Sequence, residues 1–101
     1  MLVQEVSTDL PPTEVVRLAR DFFTTRFSPY GAFVREESDS HIVFGMDAGE
    51  LVIGTMLEDG RTLVRGSTSR VHHELSQFLS TLAPAEDVRQ NVSGPGASGA
   101  G

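Results

Sequence analysis

The chain has 101 residues, no cysteine, and fourteen acidic against eight basic side chains, for a net charge of -6. This length holds one small domain, and without cysteine it can form neither a disulfide framework nor a thiolate metal site. The negative charge repels phosphate backbones and anionic membranes, so we expect no nucleic-acid partner and no membrane insertion. No basic region precedes an apolar run near the N-terminus, and we therefore predict a cytoplasmic protein.

The chain opens with a polar segment and then a helix signal. Residues 1–10 are predicted to be a polar lead-in or a short edge strand. Pro12 and Glu14 favour the start of a helix, because proline suits the first turn and an acid there complements the helix dipole. Apolar residues recur on one side until Ser28-Pro29 ends the pattern, which predicts a buried helix over 12–26.

Four short apolar runs follow, divided by turn-forming residues: 32–36, 41–46, 51–58 and 61–67. The strongest turn signal is Asp59-Gly60, since a type I′ turn needs positive φ at both central positions. Runs at this spacing predict a four-stranded antiparallel meander.

Counting outward from the turns predicts the register of this sheet. The expected pairs are Glu36 with His41, Met46 with Leu51, and Glu58 with Arg61. One face then carries a set of large apolar side chains, which we predict to be the core: Phe33, Ile42, Phe44, Met46, Leu51, Ile53, Leu57 and Val64.

A second helix is predicted after the last strand. Thr68 and Ser69 can cap it, and apolar residues recur at helical spacing from Val71 to Leu82 before Pro84. Each helix has one apolar side to cover, so we predict an α+β fold of helix, four-stranded antiparallel meander sheet and helix, with both helices on one sheet face.

Domain boundaries follow from these elements. The single α+β domain is predicted to cover 11–90. The Gly/Ser-rich segment 91–101 offers almost nothing to bury and is predicted to be a disordered tail.

The sheet face opposite the predicted core is apolar rather than charged, and it includes two glycines that would let another surface approach the backbone. We predict a partner-binding surface formed by Val34, His41, Val43, Gly45, Val52, Gly54, Met56 and Leu63. The alternatives are that another segment of the chain covers these side chains, or that they are the half-exposed apolar residues usual in a small protein.

The junction between the last strand and the second helix is a candidate anion site formed by Arg65, Ser67, Thr68, Ser69 and Arg70. Unpaired backbone N–H groups and the helix dipole favour an anion at such a place. The alternative is ordinary capping by Ser and Thr with Arg70 in solvent.

Catalytic and metal-binding patterns are missing from the sequence. His72 and His73 are adjacent and would point about 100° apart on a helix, which does not suit a shared metal ion. No Gly-x-Ser-x-Gly nucleophile elbow occurs. We therefore predict no metal, no cofactor and no enzymatic activity.

These features predict a non-catalytic protein-interaction module, such as a small acidic adaptor, a chaperone-like subunit, or an inhibitor or immunity-type protein. It would act through the apolar sheet face, with another protein or a second copy of itself as partner, most simply as a homodimer. One alternative is a small-molecule-binding domain with an apolar pocket between the sheet and the first helix, lined by Phe22, Phe33, Phe44 and Met56. Another is an accessory subunit of a larger assembly.

Overall fold

The computed structural model describes residues 2–26, 33–46, 49–69 and 71–92. Its helices and strands follow one another along the chain as β1 (Leu2–Thr8), α1 (Pro12–Arg26), β2 (Phe33–Glu37), β3 (His41–Met46), β4 (Gly49–Glu58), β5 (Arg61–Thr68), α2 (His72–Leu79) and β6 (Arg89–Val92). A single 3-10 turn over Ala85–Asp87 connects α2 to β6.

The strands form one antiparallel sheet in the order β2-β3-β4-β5-β1-β6. The predicted α+β class, with helices packed on an antiparallel sheet, is confirmed, but the predicted count of four strands is wrong because the described residues contain six. The two extra strands come from the segments that flank the meander. Residues 2–8 form β1, which pairs with β5 on one side and β6 on the other and so is an inner strand rather than an edge strand.

The polar composition of β1 explains why it did not resemble a core strand. Gln4 and Thr8 point to the same face as Val6, and all three are buried. The Oγ of Ser76 in α2 donates to Oε1 of Gln4 at 2.7 Å, and Oγ1 of Thr8 donates to the carbonyl of Leu82 at 3.0 Å. Hydrogen bonds therefore compensate for the burial of polar groups and attach β1 to α2 and the turn that follows it.

Both helices bury side chains in one cluster on the same side of the sheet. The ring of Phe23 in α1 lies 5.3 Å from that of Phe44 in β3 and 5.5 Å from that of Phe78 in α2. A Cβ on Gly66 of β5 would lie 2.5 Å from Cδ1 of Leu75, so the missing side chain lets α2 approach the sheet. Aromatic contacts and this close approach position the two helices against each other and against the strands.

The register of the last hairpin agrees with the prediction. Asp59 and Gly60 both have positive φ, as a type I′ turn requires, and Glu58 pairs with Arg61. In the hairpin between β3 and β4, Met46 pairs with Gly49 instead of Leu51. This shift of two residues keeps every side chain on its predicted face, because the side-chain period of a strand is two.

A bulge in β2 overturns part of the predicted face assignment. Glu36 pairs with Val43 and not with His41 as predicted, and the register shifts between Val34 and Glu36, so that Val34 pairs with Phe44 and packs against the core. Phe33, predicted to be buried, is 56% exposed on the opposite face. A bulge adds one unpaired residue and so reverses the direction of the side chains on one side of it.

Leu57 also departs from the predicted core. Its side chain points to the helix side of the sheet, next to Thr62, but it is 73% exposed. The reason is position along the strand, since Leu57 lies one residue before the end of β4 and its hairpin turn.

The predicted tail begins two residues too early. Asn91 and Val92, placed in the predicted tail, belong to β6, and residues 93–101 lie outside the described residues.

Among the described residues, no helix is long and apolar enough to cross a membrane.

The core assignment predicts a large difference between two phenylalanines. Replacing the buried Phe78 by Ala should lower the free energy of unfolding by about 3–5 kcal/mol, because it leaves a cavity where α1, α2 and the sheet meet. Phe33→Ala is the matched control and should cost about 1 kcal/mol or less. Urea denaturation measures both, and similar losses in the two variants would contradict the core described here.

Candidate functional site

The face of the sheet opposite the helices, here called the free face, carries His41, Val43, Val52, Met56 and Leu63. All of the predicted partner-binding residues lie on it except Val34, which the bulge in β2 turns to the core side. Phe33 takes the place of Val34 on the free face.

The apolar part of the free face lies over β4 and β5. Met56 is 56% exposed, Val43 and Val52 are half-buried, and Leu63 is only 5% exposed although no helix lies on this side in the described part of the chain. A shallow depression of about 200 Å³ lies beside Leu63, lined by Gly54, Thr55, Met56 and Arg65. The face therefore combines protruding apolar side chains with a small recess.

The two glycines of this face differ in what lies above them. A Cβ on Gly54 would have no atom within 4 Å, so the backbone of β4 is open to a partner there. A Cβ on Gly45 would lie 2.5 Å from Cδ of Arg35 and 2.8 Å from Cζ of Phe33. The expectation that both glycines allow close approach is therefore wrong for Gly45, whose place is filled by side chains of β2.

A buried carboxylate holds two arginines on the half of the free face formed by β5, β1 and β6. Glu5 is 8% exposed, and its Oε2 accepts from Nε and Nη2 of Arg65 at 3.2 and 3.0 Å. Its Oε1 lies 3.0 Å from Nη2 of Arg89. Two guanidinium groups around one carboxylate leave this trio with a formal charge of +1 and with donor groups still directed to solvent.

On the opposite half, His41 is held between two side chains of its own hairpin. Its Nε2 lies 2.9 Å from Oε2 of Glu36, and its Nδ1 lies 2.6 Å from Oγ of Ser38. In the tautomer that donates its proton from Nε2 to Glu36, Nδ1 accepts the proton of the hydroxyl. A serine, a histidine and a carboxylate thus lie in contact.

The contacts of Ser38 favour a structural role for this group. Its Oγ also accepts from the backbone N–H groups of Ser40 and His41, at 3.2 and 3.1 Å, which is the pattern of a turn-capping hydroxyl. Glu36 and Ser38 are exposed. We interpret the cluster as one that closes the β2–β3 turn and orients His41.

The residues of the candidate anion site are not brought together. Arg65 and Ser67 point to the free face, where Arg65 binds Glu5, whereas Thr68 is buried and its Oγ1 accepts from the N–H of Val71. Ser69 is exposed, and Arg70 lies outside the described residues. The N-cap of α2 is Val71, and no side chain accepts a capping hydrogen bond there, so the contact of Thr68 stabilises the turn before the helix and is not the capping that we gave as the alternative.

The side chains proposed for a small-molecule pocket do not meet either. Phe22 and Phe44 lie on the helix side of the sheet, while Phe33 and Met56 lie on the free face. On the helix side, an open groove of about 280 Å³ lies between α1 and the end of α2, lined by Leu18, Asp21, Phe22, Thr25, Phe78 and Thr81. Within the described ranges, no three His, Asp or Glu side chains are grouped as metal ligands.

The sequence pattern did not predict Glu5, Arg89 or Phe33 as members of the free face. Glu5 had no signal, because apolar and polar residues do not alternate along residues 2–8, the segment interpreted as a lead-in. Arg89 had none either, because its position follows from the pairing of β6 with β1.

The Glu5 trio predicts that this carboxylate contributes to stability. Glu5→Ala should lower the free energy of unfolding by roughly 1–2 kcal/mol, because the charge-assisted hydrogen bonds to Arg65 and Arg89 are lost and a buried position is left unfilled. Asp9→Ala is the matched control, since it removes the exposed Asp9–Arg61 pair of 2.9 Å and should cost less than about 0.5 kcal/mol. If urea denaturation gave equal losses for Glu5→Ala and Asp9→Ala, burial of Glu5 would add nothing to the free energy of unfolding.

Comparison with known proteins assigns no family to this chain. The sequence matches no family model, and no curated protein is similar enough to match it.

Proposed function

We propose that this protein is a non-catalytic protein-interaction module that acts through the free face, and that its partner on this face is a second copy of the chain. The observation that carries the proposal is the exposure of large apolar side chains on a sheet face that the two helices leave uncovered. Phe33 and Met56 are each 56% exposed there. Phe33 lies near the half-buried Val43, and Met56 lies beyond Gly54 on the strand that carries the half-buried Val52. Exposed apolar side chains grouped on one face are typical of an interaction site.

The shape of the face favours a protein over a small molecule. The depression beside Gly54 has a volume of about 200 Å³, whereas pockets that enclose small ligands usually measure about 300–1,000 Å³. Six strands spaced about 4.8 Å apart, each with about six residues of about 3.3 Å, give a flat area of roughly 500 Å². Side-chain relief brings this toward the roughly 800 Å² per partner of a standard interface.

The charges of the face support an acidic partner such as this chain itself. The chain carries a net charge of -6, which disfavours association between copies at long range. On the free face, however, three carboxylates have a partner within 3.0 Å: Glu50 has Arg35, Glu36 has His41, and Glu5 has Arg89. The exposed Glu58, at the turn end of β4, has none of these contacts. Local pairing lowers the repulsion that two approaching copies would experience.

A single charge in the middle of the free face should test this function. Val52→Lys places an ammonium group on β4, and in a two-fold interface the substitution enters twice, so the dimer should dissociate while the monomer stays folded. Leu57→Lys is the matched control, because Leu57 lies on the same strand but on the helix side and is already exposed. Sedimentation velocity over a range of concentrations measures both variants against the wild type.

Each outcome of this experiment bears on the proposal. A dimeric wild type that becomes monomeric with Val52→Lys and stays dimeric with Leu57→Lys supports it. A wild type that remains monomeric at high concentration would refute self-association, and a dimer unchanged by Val52→Lys would place the interface elsewhere.

A further inference from the structure

One row of residues crosses the whole free face at right angles to the strands. Cross-strand pairing places His41 beside Gly54, Gly54 beside Arg65, Arg65 beside Glu5, and Glu5 beside Arg89. Glu36 in β2 pairs with Val43, two residues along β3 from His41, but its carboxylate reaches Nε2 of His41 and ends the row on the other side. From β2 to β6 this row, here called the polar row, contains Glu36, His41, Gly54, Arg65, Glu5 and Arg89.

Two copies of the polar row that run in opposite directions are complementary in charge. If the row is turned end for end about a point midway between β4 and β5, the Glu36 carboxylate held at His41 comes opposite the Arg89 guanidinium held at Glu5, and His41 comes opposite Glu5. Gly54, the open position of β4, comes opposite Arg65, whose long side chain needs space. Acid therefore faces base, and the recess faces the residue that can fill it.

This match deepens the proposed function, on which it rests, by specifying how two copies pack. We infer that the copies associate free face to free face about a two-fold axis that runs parallel to the strands, between β4 and β5. Arg65 of each copy inserts into the depression beside Gly54 of the other. Glu36 of each copy pairs with Arg89 of the other, so the contact is made twice, as an isologous interface requires.

The apolar rows on either side of the polar row agree with the same axis. In one of them, Met56 comes opposite Leu63, the buried side chain at the edge of the depression. In the other, Val43 comes opposite Val3, and Val52 comes opposite Ser67. Apolar side chains thus lie against apolar or small ones, with the strands of the two sheets close to aligned as in face-to-face sheet packing.

A two-fold axis that runs along the polar row, perpendicular to the strands, gives a poorer match. It would place each strand opposite its own copy, so that Arg65 would face Arg65, Arg89 would face Arg89, and Glu36 would face Glu36. Like charges in direct opposition across an interface weaken association. The charge pattern therefore favours the axis parallel to the strands.

Charge reversal at the ends of the polar row gives a direct test. Glu36→Arg and Arg89→Glu each create two like-charge contacts in a homodimer, and each should weaken self-association at least about tenfold. An equimolar mixture of the two variants restores both contacts as Arg opposite Glu. The mixture should therefore form a one-to-one heterodimer in sedimentation velocity or native mass spectrometry, although neither variant dimerises well alone.

Control variants separate this arrangement from general effects of charge and stability. Gln77→Arg and Gln77→Glu change the charge at an exposed position of α2 and should leave self-association unchanged, alone or mixed. Thermal melts of Glu36→Arg and Arg89→Glu confirm that both are folded before they are mixed. Arg89→Glu needs this check because it places a second carboxylate beside Glu5.

A second variant tests the arrangement without touching the Glu5 trio. Gly54→Val fills the open position of β4, where a Cβ meets no atom within 4 Å, so the monomer should keep its melting temperature. The added side chain occupies the space that Arg65 of the second copy would fill, and self-association should weaken at least about tenfold, as expected for overpacking of a close contact.

The outcomes distinguish this inference from the proposed function. Heterodimer formation in the mixture, together with weaker association of Gly54→Val, supports the parallel axis. A dimer that Val52→Lys disrupts, but that forms equally in Glu36→Arg, Arg89→Glu and Gly54→Val, overturns the inferred arrangement and leaves the free face as the interface. A monomeric wild type overturns both.

Discussion

The pairing of β1 between β5 and β6 is the constraint on which most of this structure depends. Backbone hydrogen bonds on both edges place one side of the strand against α2 and the other side on the free face. On the helix side, Gln4 and Thr8 bind α2 and the turn after it, which holds the second helix over Gly66. On the free face, Glu5 brings together Arg65 and Arg89, which are far apart in sequence. One strand thus supports both the core and the candidate interface.

Because both helices lie on one side of the sheet, no helix covers the other side in the described part of the chain. A domain of this length has two helices with which to cover a sheet of six strands among its described residues, and both contribute to one cluster of aromatic and aliphatic side chains. The opposite face is stabilised by other means. Ion pairs form at both ends of this face. The side chains of Phe33 and Arg35 pack over Gly45 at the bulge of β2, and Met56 of β4 stays partly exposed. Association would cover surface that the chain cannot cover by itself.

The order of the strands gives the proposed interface its self-complementary character. β1 lies beyond β5 in the sheet although it comes first in the chain, and β6 pairs with it. These two strands bring Glu5 and Arg89 beside Arg65, on the half of the free face away from Glu36 and His41. A meander of β2 to β5 alone would carry Arg65 without Glu5 or Arg89. The two added strands therefore complete the charge pattern that can match its reverse in a second copy.

The sequence by itself determined the elements whose signals are local. The bounds of α1 follow from a proline at its start and a proline after its end, and the Asp59-Gly60 turn follows from the backbone conformation that a type I′ hairpin requires. Faces of β3, β4 and β5 were also predictable, because an error of two residues in register leaves alternation unchanged. Most of the free face could be named on this basis. Tertiary structure alone decided the position of β1 and β6, the bulge that exchanges Phe33 and Val34, and the contacts of Glu5. These depend on which strands meet across the sheet, and pairing between distant segments leaves no periodic signal in either one.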